Sequence, residues 1–107
     1  MQYKIPKSFE LIGETIKVEF VDELIQDDNL VGAACYRTGM IKIQKDLPGF
    51  KRSKEQMFKT FLHEVIHWML HKQAKPELDD DENFVEITAD MLLQVLKTAK
   101  YLKESKL

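Results

Sequence analysis

Near its middle, the chain changes the period of its apolar positions. Ile16, Val18 and Phe20 alternate with Lys17 and Glu19, the period of two that half-buries a β-strand. Glu10 to Ile12 reads as its hairpin partner, with Gly13-Glu14 as a two-residue turn offering glycine where a positive φ is needed. A second hairpin is expected from Gly32 to Tyr36 and from Met40 to Gln44, joined by Arg37-Thr38-Gly39, with Ile41 and Ile43 inward and Lys42 outward. The strand-rich part therefore covers about residues 1–50 and predicts a three- to four-stranded, mostly antiparallel sheet.

Beyond Pro48-Gly49 the pattern turns helical. Ser53 and Gln56 have the spacing of a capping box, so a helix should begin near Lys54 and run to about residue 72. Between Met57 and Leu70 almost no polar stripe remains apart from the histidines and Glu64, which predicts a largely buried helix. Gln73 to Asp81 reads as a polar loop, and the acidic run Asp79-Asp80-Asp81-Glu82 suits the positive end of a following helix. That helix is expected over about residues 83–103, with Val85, Ala89, Leu92, Leu96 and Ala99 as its apolar stripe. The fold class is α+β: one domain over residues 1–107, a small sheet packed on two long helices.

Composition narrows the function classes. Hydrophobic residues at 44% and charged residues at 32% suit a globular chain with one core, not a disordered tail. A net charge of −2, with lysines and arginines scattered, leaves no footprint for a phosphate backbone, so no nucleic-acid partner is expected. No apolar run approaches the ~18 residues of a membrane span, and Met1 to Phe9 lacks the apolar core of a signal peptide. With the single cysteine Cys35, which reads as a small apolar filler, these features make the cytoplasm the expected compartment and a membrane partner unexpected.

The candidate chemistry lies in His63-Glu64-Val65-Ile66-His67. On a helix the two histidines stand about 40° apart around the axis and ~6 Å apart along it, so both imidazoles can converge on one ion. Glu64 can reach a metal-bound water as general base without binding the metal itself. A catalytic Zn²⁺ needs a third protein ligand. If the chain reverses near Glu77 and the helices pack antiparallel, Glu86 lies beside His67 and Asp90 beside His63. Glu86 is then the expected third ligand, and Asp90 a hydrogen-bond acceptor orienting His63. Glu82 falls too far along the first helix on this construction and is the reserve ligand. His71 is a rim residue that could donate to a developing oxyanion, with Tyr36, Arg37 and Tyr101 as equal alternatives.

His63-Glu64-x-x-His67 followed by Glu86-x-x-Ala89-Asp90 resembles the gluzincin pattern, two histidines from one helix and a glutamate from the next. It is most similar to the small ImmA/IrrE-like metallopeptidases of phages and mobile elements, with Asp90 where they carry asparagine. The resemblance implies a zincin-like fold and a zinc-dependent peptidase with one Zn²⁺ per chain. Its substrate would be a peptide or protein, a single dedicated partner included. In this architecture the strand before the catalytic helix, here Met40 to Gln44, lies at the sheet edge, where an extended substrate can pair with it. The competing expectation is a non-catalytic, metal-stabilised protein-interaction module; the presence of Glu64 argues for catalysis, because a structural site has no need of it.

Overall fold

The structure, a computed structural model, describes residues 1–27 and 29–103. Strands β1 (Ser8–Leu11) and β2 (Glu14–Val21) form the first hairpin. Leu11 pairs with Glu14, so the two-residue turn is Ile12-Gly13, one position earlier than expected, and both residues take the positive φ (46° and 79°) of this tight turn. Glu14 is thereby released to begin β2. A short helix, α1 (Leu24–Asp27), leads to the second hairpin of β3 (Gly32–Cys35) and β4 (Met40–Gln44).

The sheet order is β1-β2-β4-β3, with β2 and β4 parallel and the other two pairs antiparallel. The α+β expectation holds, with a mixed sheet. β4 is paired on both sides and cannot accept another strand; the sheet edges are β1 and β3, and β3 is the one next to β4. Side-chain volume accounts for this arrangement. Ile41 and Ile43 of β4 are fully buried and claim the centre of the core, whereas β3 is Gly-Ala-Ala-Cys and has little to bury.

Helix α2 (Lys54–Lys72) has the expected bounds, and its capping box is complete: the Ser53 side chain accepts from Gln56 N, and the Gln56 side chain accepts from Ser53 N. Phe58, Phe61, Leu62, Ile66 and Trp68 of α2 pack on Ile16, Ile41 and Ile43 of the sheet. Trp68 is wholly buried, and its Nε1–H donates to Met40 O at 3.2 Å, which makes it core and not pocket wall.

α2 closes with a left-handed residue, Ala74 (φ 54°), and a bond from Lys75 N to Leu70 O. The stretch expected to be a loop then holds one helical turn, α3 (Pro76–Asp79), with proline at its first position. Helix α4 (Glu82–Thr98) follows, capped by the Asp81 side chain, which accepts from Phe84 N. Val85, Ala89 and Leu93 face the core; Leu92, expected in that stripe, is 38% exposed. α4 also stops at Thr98 and not near Lys103, because Tyr101 and Leu102 (84% and 74% exposed) find no packing surface to stabilise further turns. No described helix is long and apolar enough to cross a membrane.

Candidate metal centre

One turn of α2 separates His63 from His67 and sets their ring centroids 5.0 Å apart. Glu82, the first residue of α4, reaches across to both. One carboxylate oxygen lies 3.1 Å from His63 Nε2 and the other 3.1 Å from His67 Nε2. Ligand atoms of the three residues all lie within 4.8 Å of one another, and the group could hold a metal ion. Donors at ~2.0–2.2 Å from a tetrahedral ion stand about 3.3–3.6 Å apart, so the three side chains would draw together on binding one. A carboxylate at the start of a helix is also electrostatically favoured there.

The opposite ring nitrogens also face carboxylates: His67 Nδ1 lies 2.6 Å from Asp79 Oδ1, and His63 Nδ1 lies 3.4 Å from Glu86 Oε1. A metal ion taken up at the two Nε2 atoms would leave each ring proton at Nδ1, where Asp79 and Glu86 can accept it. Asp79 is itself held in place, since the Tyr36 hydroxyl lies 2.9 and 3.0 Å from its two oxygens and 3.2 Å from His67 O. Burial, and then the bond to Asp79, push the Tyr36 phenol well above its ordinary pKa, so it remains a donor. His71 stacks on the Tyr36 ring at 3.9 Å with nearly parallel planes, and so serves as packing behind this bond. Replacing Asp79 by Asn is expected to weaken the binding of a divalent metal ion about 10- to 100-fold, measured by competition with a chromophoric chelator.

Glu64, the residue after His63 on α2, is only 6% exposed. Burial raises its pKa from 4.5 to about 7; His63 and His67 pull it down, while Glu82 and Asp79 push it up. Its fit depends on Gly32 of β3. A Cβ there would come within 2.8 Å of Glu64 Oε2 and 2.5 Å of Thr60 Cγ2, so only glycine lets the edge strand pass this close. Glu64, His63, His67 and Glu82 line one wall of a cavity of about 870 Å³, and residues 30–34 of the edge line the other.

The expected site residues are brought together one turn out of register. Glu86, expected as a ligand, faces His63 Nδ1 and Lys59 Nζ (both 3.4 Å) and takes the orienting place assigned to Asp90. Asp90 instead pairs with Lys59 at 2.8 Å, and the reserve residue Glu82 meets both Nε2 atoms. The cause is the point of reversal. Ala74 turns the chain about three residues before Glu77, and α3 returns alongside α2, so α4 begins level with the histidines.

Asp79 was hidden in an acidic run that reads as a solvated cap. The available signal was Pro76, which favours the first position of a helix and so foretold a turn that carries Asp79 back toward α2. Neither His71 nor Tyr101 lines the cavity, and Arg37 does not either; of the candidate oxyanion donors Tyr36 alone does.

Comparison with family models, curated proteins and solved structures gave no match to this chain.

Proposed function

We propose that the chain is a zinc-dependent metallopeptidase of the gluzincin kind, similar to the ImmA/IrrE-like enzymes, with Glu64 as general base and His63, His67 and Glu82 as ligands. The observation that carries this reading is the position of Glu64: a buried carboxylate, not part of the ligand group, with its neighbours leaving it free on the cavity side. A structural metal site gives no reason to keep a carboxylate buried there.

When bound, a Zn²⁺ ion supplies Lewis acidity, acidifying a water and polarising the substrate carbonyl. Two imidazoles and a carboxylate suit zinc among the common divalent ions. The chain does the rest. Glu64 accepts the proton of the attacking water and returns it to the leaving amine, a task suited to a carboxyl group whose burial lifts it toward neutrality. With a metal at the two Nε2 atoms, Asp79 and Glu86 would accept from the Nδ1–H groups and orient the imidazoles. β3, as the free sheet edge beside the cavity, offers unpaired backbone groups to an extended substrate, the role expected of β4. A cytoplasmic setting fits a chain with one cysteine and so no internal disulfide.

The test is turnover of a mixed peptide pool by the zinc-loaded protein, read by mass spectrometry. Cleavage that stops on chelation and returns with added zinc is the expected result; a pool left intact by fully loaded protein would rule the reading out.

A further inference from the structure

Arg52 lies just before the N-cap of α2 and lines the same cavity. Its Nη1 donates to Gln44 O at 2.7 Å and its Nη2 to Thr60 Oγ1 at 2.5 Å. Its other two contacts, to Val31 O at 3.5 Å and Gln56 O at 3.4 Å, lie beyond the usual N–H···O range. Each Nη therefore has one N–H well used and one weakly held.

All four partners are neutral. The other cavity cations have carboxylates, Lys59 pairing with Asp90 and Glu86 and Lys51 with Asp46, but among the described residues the Arg52 guanidinium has none. Burial lowers its pKa, the mark of a charge held where solvent only partly compensates it. Three elements (α2, β4 and the residue leading into β3) thus hold a fixed, uncompensated cation on the cavity wall.

We propose that Arg52 is a specificity residue that receives a substrate carboxylate, an inference resting on the peptidase reading above. Its position limits where that carboxylate stands. Thr60, which Arg52 touches, is one helical turn, ~6 Å, from Glu64. An extended chain advances ~3.3 Å per residue, so the carboxylate belongs to a residue within about two positions of the scissile bond. Direction follows from the rest of the cleft. Arg52 and Lys51 mark the Val31 end of the edge strand, whereas Asp79 and Asp80 line the cavity at the Tyr36 end and repel a carboxylate there. A substrate strand antiparallel to β3, which runs from the Val31 end to the Tyr36 end, would carry this carboxylate on the C-terminal side of the bond. It is either an acidic side chain or the free C-terminus of a short peptide.

The experiment measures binding to zinc-loaded Glu64→Gln protein by fluorescence anisotropy. Six-residue peptides carry Glu, Gln or Lys in the two positions after the central bond, each as free acid and as amide. The expected result is an affinity about tenfold higher for the carboxylate-bearing forms, in line with one charge-assisted hydrogen bond. Preference for Glu among the amides identifies a side-chain carboxylate; preference for every free acid over its amide identifies the C-terminus. Arg52→Lys keeps the preference and Arg52→Met, with a similar aliphatic stem, loses it. Equal affinity for Glu, Gln and Lys peptides in both forms overturns the assignment, whether or not the methionine variant folds. Turnover of the same peptides by wild type separates the two claims. Hydrolysis without charge preference removes Arg52 from specificity and leaves the peptidase reading, while charge preference without hydrolysis does the reverse.

Discussion

Glu64→Gln is expected to retain about one zinc per chain while peptide hydrolysis falls about 10²- to 10⁴-fold, the range that a positioned general base contributes. Glutamine keeps the volume packed against Thr60 and the backbone of Gly32, so the helix, the imidazoles and Glu82 stay in place. What it loses is the capacity to take a proton. Single-turnover rates on matched zinc-loaded proteins make the comparison, because they exclude differences in metal content and product release. An unchanged rate would transfer the base to another group. Metal retained by both proteins with no hydrolysis by either would favour the metal-stabilised interaction module.

The same substitution is expected to stabilise the metal-free protein at high pH. Glu64 titrates at about 7 in the folded chain against 4.5 when unperturbed, chiefly because burial penalises its charged form. The folded state therefore holds the proton more tightly, and the stability linked to Glu64 is fully present below pH 4.5 and is lost as pH rises to about 7. Over that window the loss is about 3 kcal/mol. Urea unfolding of apo wild type and apo Glu64→Gln should give similar stabilities at pH 4 and a difference of about 3 kcal/mol in favour of glutamine at pH 8. A difference that stayed constant with pH would mean that folding does not shift the Glu64 pKa. Loss of stability by a site residue is a familiar cost of function.

Local signals in the sequence carried much of this fold. The capping box at Ser53 and the inward Ile41 and Ile43 depend on neighbours a few residues away, and each appears where expected; the alternation of β2 holds at Ile16 and Val18 but breaks at its end, where Phe20 is 48% exposed and Val21 is buried instead. His63, Glu64 and His67 were legible for the same reason, since one helical turn fixes their spacing. Long-range choices were less visible. Whether β3 or β4 took the edge depended on which strand could fill the core, and hairpin spacing does not encode that competition. The third ligand depended on where two helices reverse. One left-handed alanine and one turn of helix moved α4 by about four residues, enough to exchange Glu86 for Glu82 and to bring Asp79 in from the loop. Arg52 was missed because its partners come from three separate elements and share no pattern along the chain.

Metal content per chain, by elemental analysis after equilibration with zinc and removal of the excess, tests the central claim most directly. The account predicts about one zinc in wild type, Glu64→Gln and Glu86→Ala, and its loss in His67→Ala and Glu82→Ala. A wild-type chain that takes up no zinc, or a Glu82→Ala chain that keeps it while Glu86→Ala loses it, would contradict the account.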